Sequence, residues 1–176
     1  MKIIKSTASF SICKKYRLRL TKRISKSSRE IIFIGLNPST ANSIYNDATL
    51  SRLLDFTSIW GYGSLEVINL FARVSKNPVL LKTCKDPIGE GNDLELKKRM
   101  RSWSENLYSD LWLGWGVNGR FMNRDIDVLG VIKKFYSKRH EKYPYASKPL
   151  SLGRTKGGYP RHPLYVAKKE ILRPFC

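Results

Sequence analysis

Four short and nearly uninterrupted apolar runs are spaced along the chain and predict buried β-strands. They occupy residues 31–36, 65–71, 111–115 and 149–152. Continuous apolar runs are typical of strands that are covered on both faces of a parallel sheet, whereas half-exposed strands alternate apolar and polar residues. Closer to the N-terminus, residues 10–12 and 16–20 predict two further strands, and the second of these alternates with period two.

Helical periodicity fills the segments between these runs. The apolar residues that recur every three or four positions are Leu50, Leu53, Leu54 and Phe56, then Leu96, Met100, Trp103 and Leu107, and finally Val128, Ile132 and Phe135. Asp47 and Thr49 are candidate caps for the first helix, and Asn123 precedes the third. Alternating strands and helices predict an α/β fold: a three-layer α/β/α sandwich around a four-stranded parallel sheet, with a small N-terminal β-hairpin.

A chain of 176 residues fits one domain. We predict a basic N-terminal extension over residues 1–29, which contains the hairpin, and an α/β core over residues 30–176. Ligands of parallel sheets bind beyond the carboxyl ends of the strands. This rule points to four loops, at residues 37–47, 69–73, 116–119 and 154–165.

Each of the first three loops contains a polar or aromatic residue that has either a ligand-binding or a structural role. Asn37 follows a buried strand, where it either faces a ligand or belongs to a tight turn capped by Ser39 or Thr40. Asn69 ends an apolar strand, where an amide is costly to bury unless it is paired with a ligand or with backbone. Trp115 either lines a site or packs beside the turn that follows it.

The fourth loop is the least ordinary stretch of the sequence. His162 lies between Arg161 and Pro163 in a basic segment shaped by glycine and proline. A single histidine is usually structural, but this setting favours a functional one. Together with Asn37 and Asn69 it suits dissociative chemistry, in which the leaving group departs as an anion and a positioned water attacks.

Net charge is the strongest signal in the composition. Thirty-three Lys and Arg residues against 14 Asp and Glu residues leave +19, with a pI of about 10.1. Residues 1–29 carry ten basic side chains and no acidic one, and residues 133–161 carry nine basic side chains and one acidic one. Such a field attracts a polyanion, because neutralised phosphates release counterions. A solvated basic surface with no partner is the alternative, and no basic segment has the clean apolar face of a membrane-surface helix.

Several classes of protein fit the sequence poorly. The three cysteines are scattered without a CxxC pair, which disfavours a disulfide framework and a zinc site and favours reduced thiols in a cytoplasmic protein. No apolar run approaches a membrane span, and residues 1–11 lack the apolar block of a signal peptide. The acidic residues are not grouped as a nuclease metal site requires, and neither a phosphate-binding P-loop nor a Gly-x-Ser-x-Gly motif is present. We therefore predict no metal and no cofactor.

Four short motifs in order resemble the motif series of the uracil-DNA glycosylase superfamily. They are GLNPS (35–39), VINLF (67–71), LGWG (113–116) and RHPLY (161–165). The chain also looks like a smaller bacterial family with LNPSTA, a following Asp-x-Thr (here Asp47-Ala-Thr49), NLFA and RHPLY. Some relatives in that family act as anti-phage glycosylases that remove glucosylated hydroxymethylcytosine.

The resemblance implies roles for individual residues. Asn37 orients the attacking water, with Asp47 as the reserve candidate for that task, and His162 donates to the departing base. The base pocket is implied to include Leu36, Ser39, Tyr45, Asn69 and Trp115, with Asn69 pairing with the base edge and Tyr45 as the stacking candidate. The residues expected to contact DNA are Thr40, Arg154, Lys156, Arg161, Leu164 and Tyr165.

Two residues depart from the pattern of the uracil-specific enzymes. Those enzymes place Asp where this chain has Asn37, which can orient water but cannot take a proton from it at neutral pH. They place Tyr where this chain has Ser39, so the space beside C5 of a pyrimidine is open to a larger substituent.

The predicted function is therefore monofunctional DNA glycosylase activity on a flipped-out, 5-modified pyrimidine, which leaves an abasic site. The expected setting is a cytoplasmic monomer that binds double-stranded DNA in repair or in anti-phage defence. A non-catalytic nucleic-acid-binding module on the same scaffold is the main alternative, and an enzyme acting on free nucleotides or nucleosides is the other.

Overall fold

The computed structural model describes residues 3–39 and 46–175. Over these residues the chain forms seven strands and three α-helices. The strands are β1 (Lys5–Phe10), β2 (Arg17–Arg23), β3 (Glu30–Gly35), β4 (Ser64–Asn69), β5 (Ser109–Leu113), β6 (Leu150–Ser151) and β7 (Arg173–Pro174). The helices are α1 (Ala48–Ile59), α2 (Asn92–Glu105) and α3 (Arg124–Lys142), and short 3-10 turns occur at Pro78–Leu81, Val117–Asn123 and Pro163–Tyr165.

All seven strands belong to one mixed sheet in the order β1-β2-β4-β3-β5-β6-β7. The four neighbouring strands β4, β3, β5 and β6 run parallel, and the pairs at both sides, β2 with β4 and β6 with β7, are antiparallel. Strand β3 lies between β4 and β5 and runs parallel to both, so the carboxyl ends of the three strands lie side by side. We call the side of the sheet where these strands end the carboxyl end, and the side where they begin the amino end.

Helices cover both faces of the sheet. The apolar stripe of α1 packs with Ile31, Phe33 and Trp112 on one face, and the stripes of α2 and α3 pack with Ile32, Ile34 and other residues on the opposite face. The two clusters use alternate residues of β3, since successive side chains of a strand point to opposite faces. This two-sided burial accounts for the continuous apolar runs in the sequence.

The sequence predicted the mixed α/β class correctly, but the sheet differs from the predicted four-stranded one. The hairpin of β1 and β2 is part of the sheet, because residues 20–23 of β2 pair with β4. The two-residue strand β7 was not predicted, since Arg173–Pro174 shows no strand periodicity. Leu107, predicted to lie on the second helix, follows its end at Glu105 and is exposed.

Three cations of the predicted basic surface are buried instead. Arg17, Lys22 and Arg139 are each at most 4% exposed. Arg139 crosses from α3 to the amino end of the sheet, where its guanidinium donates to the carbonyls of Trp103, Asn106, Leu107 and Ser109. It thereby ties α3 to the end of α2 and to the start of β5.

Candidate active site

A cavity of about 400 Å³ opens at the carboxyl end of the sheet. Residues from all four predicted loops line it, among them Asn37, Asn69, Asn118 and His162. The volume lies within the range of cavities that hold small organic ligands. The polarity of the parallel strands accounts for the meeting of these loops, because each one lies at or follows the carboxyl end of β3, β4, β5 or β6.

The amide of Asn37 is held in one orientation. Its Nδ2 donates to the Pro38 carbonyl at 3.0 Å and to the Ser75 carbonyl at 2.9 Å. Only an NH₂ group can serve two carbonyl acceptors, so Oδ1 is the atom that this amide offers as an acceptor. In this orientation Asn37 can accept a hydrogen bond from a ligand or a water.

Asn69 is a buried amide in the cavity wall. The residue is 3% exposed, and its Nδ2 has no hydrogen-bond partner among the described residues. A buried polar group without a partner costs about 1–3 kcal/mol. Gly35, on the neighbouring strand, leaves room for this side chain, because a Cβ there would lie 2.9 Å from Asn69 Oδ1. The described residues thus leave the donor of this cavity-wall amide unused.

His162 presents its Nε2–H as a donor. It is the N-cap of the 3-10 turn Pro163–Tyr165, and its Nδ1 accepts from the backbone N–H of Leu164 at 3.4 Å. A neutral imidazole that accepts at Nδ1 carries its proton on Nε2. Burial lowers the pKa of His162 from its ordinary value near 6.5, against the opposing charge of Asp47, so the ring is neutral at pH 7.

Asp47 has a structural role as well as a place in the cavity wall. One carboxylate oxygen accepts from the Leu50 N–H at 2.7 Å and caps α1, as the sequence predicted. Thr49 lies inside the helix, and Asn123 makes no side-chain cap. Burial lowers the pKa of both Arg17 and His162, and the negative charge of Asp47 partly opposes this lowering at both residues.

The structure places the remaining predicted pocket residues as follows. Leu36, Ser39 and Trp115 line the cavity. Trp115 is also part of the core, and its ring packs so tightly against Gly119 that a Cβ there would lie 2.2 Å from Cδ1. Tyr45 and Thr40 lie outside the described residues.

The predicted DNA-contact residues divide into two groups. Arg161, Leu164 and Tyr165 line the cavity, and Tyr165 is 78% exposed. Arg154 and Lys156 belong to the same loop but do not line the cavity. The guanidinium of Arg154 instead donates to the Phe175 carbonyl and lies 4.3 Å from the centre of the Phe175 ring, whereas Lys156 is exposed.

Sequence reasoning missed several residues of the cavity, and Arg17 is the most informative. It lines the cavity from β2, and burial lowers its pKa to about 10, so it remains a cation at neutral pH. Because β2 runs antiparallel to β4, the first residue of β2 lies at the carboxyl end of the sheet, where the Arg17 N–H donates to the Ala72 carbonyl. The other missed residues include Ser75, Lys76, Asn118 and Thr155.

Residues 3–39 and 46–175 lack two kinds of feature. They contain no cluster of three or more His, Cys, Asp or Glu side chains arranged to bind a metal. They also contain no helix whose length and hydropathy would let it span a bilayer.

Comparison with known proteins gives one match. The model of a family described as "Protein of unknown function (DUF1643)" matches residues 17–164, which include every residue assigned above to the cavity except Tyr165. No curated protein and no solved structure matches the chain.

Proposed function

Since the chain belongs to the DUF1643 family, whose description assigns no activity, we propose a function from the chemistry of its cavity: it is a monofunctional DNA glycosylase. In this proposal it hydrolyses the bond between a flipped-out, 5-modified pyrimidine and its deoxyribose. The product is an abasic site in double-stranded DNA inside the cell.

One observation carries the proposal. Three polar side chains line one cavity, one from the loop after β3, one from the end of β4 and one from the loop after β6. Each offers a different hydrogen-bonding group. Asn37 offers an acceptor, His162 offers a donor on a neutral ring, and Asn69 offers a buried amide whose donor is unused by residues 3–39 and 46–175. Hydrolysis that releases an anionic base requires a held water, a donor for the anion and a reader of the base edge.

The reaction proceeds through departure of the base. The C1′–N bond breaks, and its electron pair remains on the base, whose developing negative charge accepts from the His162 Nε2–H. Water oriented by Asn37 Oδ1 attacks C1′ and forms the new C–O bond. The proton that the water loses ends on the released base, through solvent or through the second oxygen of Asp47. Asn37 is a neutral amide and orients the water without deprotonating it.

A flipped base explains why the cavity and the charge occur together. A base inside a duplex is unreachable, and extruding it costs a few kcal/mol, which phosphate contacts of a strongly basic protein offset. The four parallel strands present their polar loops in the order of the motifs of the uracil-DNA glycosylase superfamily, which supports membership of that superfamily. Exposed Leu164 and Tyr165 lie at the cavity, on the side from which a duplex approaches in this scheme.

Ser39 supports a substrate with a large substituent at C5. It lines the cavity at the motif position where the uracil-specific enzymes place a tyrosine. A cavity of about 400 Å³ exceeds what a bare pyrimidine fills, and close-packed sites gain little from a ligand that leaves space. We expect a bulky polar group, such as a glycosylated hydroxymethyl, to be preferred over the hydrogen of uracil or cytosine.

The test is to incubate the protein with duplexes that carry uracil, cytosine, hydroxymethylcytosine or glucosylated hydroxymethylcytosine, and to assay strand breaks after alkali. We expect abasic sites only in the bulky-modified duplex. Ser39→Tyr should abolish that activity by steric overlap and leave duplex binding unchanged. Tight duplex binding without release of any base would instead assign the chain to non-catalytic binding. Release from free nucleosides alone would assign it to nucleotide metabolism.

A further inference from the structure

We propose that the β1–β2 turn, residues 11–15, is a phosphate-binding arm that holds the DNA backbone beside the cavity, and that the basic side chains of α3 are not part of the DNA interface. The inference rests on the proposed DNA substrate and identifies the surface that binds it. Sequence alone assigns both basic segments to a polyanion, whereas the direction of the strands separates them.

The basic residues of the segment 1–29 lie at both ends of the sheet, because β2 begins at the carboxyl end and ends at the amino end. Arg23 pairs with Ser64, the first residue of β4, and Arg29 forms an ion pair with Asp110 at the start of β5. Both therefore lie at the amino end. The turn that precedes β2 lies at the carboxyl end instead, because β2 is antiparallel to β4. A six-residue strand is about 20 Å long, so the two sets of cations are separated by about the width of a duplex.

Backbone hydrogen bonds fix the turn against the wall of the cavity. The Lys15 carbonyl accepts from Val74 N–H at 3.1 Å, and Tyr16 forms a β-bridge with Arg73. The following residues, Ser75 and Lys76, line the cavity. Lys14 and Lys15 are both exposed, and Lys14 adopts a left-handed conformation with φ of 57°, which makes the turn tight. The turn thus presents two adjacent ammonium groups next to the site where the base enters.

The exposed tip of this turn fits a nucleic-acid backbone. Ile12 is fully exposed between the strand and the two lysines, where it makes no contribution to the core. Two-stranded ribbons fit the grooves of DNA, and an apolar side chain among cations is a common device at such contacts. Lysine ammonium groups bind phosphate without reading sequence, so this arm contributes affinity and register.

The basic side chains of α3 lie along the helix, away from the β1–β2 turn. Arg124, the first residue of α3, donates to the Leu70 carbonyl near the carboxyl end, and Arg139 reaches the Ser109 carbonyl at the amino end. Lys133 and Lys134 are exposed on α3, about 14 Å beyond Arg124 along the helix. They form a matched control for Lys14 and Lys15, since both pairs are adjacent, exposed and equal in charge.

The experiment compares Lys14→Gln/Lys15→Gln with Lys133→Gln/Lys134→Gln by fluorescence anisotropy, with an unmodified duplex as the probe at several salt concentrations. We expect the turn variant to bind at least tenfold more weakly and to lower the slope of log Kd against log salt by up to about 2, because each lost phosphate contact removes about 0.9. The α3 variant should change affinity by no more than about twofold. Lys14→Arg/Lys15→Arg should restore binding, which excludes a folding defect as the cause.

Equal losses of duplex affinity in the two glutamine variants would overturn the inference. DNA binding would then depend on the overall positive charge of the protein and not on this turn. A turn variant that loses binding to vesicles of anionic lipid, with duplex affinity unchanged, would also overturn it. The outcome is independent of catalysis. If the wild-type protein excises no base but only the turn variant loses duplex affinity, the arm stands and the glycosylase proposal fails.

Discussion

The two ends of the sheet use the same kinds of side chain in opposite ways. At the amino end, Arg29 lies 4.3 Å from the centre of the Tyr62 ring and pairs with Asp110, which also accepts from the Tyr62 hydroxyl at 2.6 Å. Burial together with this hydrogen bond raises the pKa of Tyr62. At the carboxyl end, Asn69 is buried with a donor that the described residues leave unused, and Asn37 and His162 line the same cavity with side chains oriented by backbone hydrogen bonds.

The comparison shows that residue type alone does not separate structural from functional groups, whereas the partners of each group together with its place in the fold do. Arg139 is a buried cation whose guanidinium is used by four carbonyls, so its position is explained by the fold. Asn69 is a buried amide whose position the fold leaves unexplained among the described residues. A buried donor of this kind needs an explanation, and the place of Asn69 in the cavity wall makes it a candidate for completion by a ligand.

The amino end should therefore give the largest effect on stability. Arg139→Leu removes the guanidinium donor from four carbonyls, of which those of Trp103 and Asn106 keep a backbone N–H donor, and it replaces a buried side chain that joins α3 to α2 and β5. We expect it to lower the free energy of unfolding by about 3–5 kcal/mol. For a chain of this size that corresponds to a fall of roughly 10 °C in the melting temperature. Lys138→Leu, one residue away on the exposed side of α3, should change stability by less than about 0.5 kcal/mol. Equal melting temperatures for the two variants would remove the basis of the comparison.

The carboxyl end should show the reverse pattern. His162→Ala removes the donor to the departing base, and Asn37→Ala removes the acceptor that orients water, so each should lower the single-turnover rate of excision by about 10²–10³. Neither change opens a core cavity, and the melting temperature should stay within a few degrees. Asn118→Ala, in the same cavity wall but with no assigned role, is the control and should keep its rate within about threefold. Unfolding of the His162 or Asn37 variant with intact activity per folded molecule would make that residue structural.

Arg17 combines a feature of each end of the sheet. It is a buried cation like Arg139 at the amino end, but it lines the cavity at the carboxyl end. A charge whose pKa is lowered to about 10 by burial is costly to hold, and its place in the cavity wall suits a negative or polar part of the substrate. We expect Arg17→Met to lower excision about tenfold and Arg17→Lys to restore part of it. A lower melting temperature with unchanged excision per folded molecule would place Arg17 with Arg139 as a structural cation.

The sequence predicted the components that depend on local pattern. Continuous apolar runs indicated the buried strands, and Asp47 was a cap because a carboxylate before an apolar stripe stabilises the first turn of a helix. The meeting of Asn37, Asn69 and His162 in one cavity also follows from local information, since parallel strands carry their loops to one edge.

The components that depend on distant pairing could not be predicted. Arg17 and Arg139 looked like members of a basic surface, and only the pairing of β2 with β4 and the packing of α3 on α2 show that both are buried. The separation of the basic segments has the same origin. The tautomer of His162 likewise depends on the Leu164 N–H, which the 3-10 turn brings to Nδ1.

The smallest predicted effect is the response of His162 to acid. Burial lowers its pKa in the folded protein below the ordinary value of about 6.5, so the unfolded chain binds more protons between those two values. Stability then rises with pH in that interval, and the cost of protonating the buried ring appears as the pH falls below about 6.5. Protonation also places a hydrogen on Nδ1, which can no longer accept from the Leu164 N–H.

His162→Gln removes this titration and provides the reference, with His140 present in both proteins. Melting temperatures measured from pH 7.5 to pH 5 should run parallel above about pH 7, because His162 is neutral in both states there. Below about pH 6.5 the wild-type protein should lose stability relative to the variant, by a few degrees at most, and the loss should stop once the pH passes the lowered folded-state pKa. A wild-type protein that instead gains stability relative to the variant on acidification would mean that Asp47 outweighs burial. His162 would then be an imidazolium donor in the cavity, and its assigned role as a neutral donor to the departing base would be wrong.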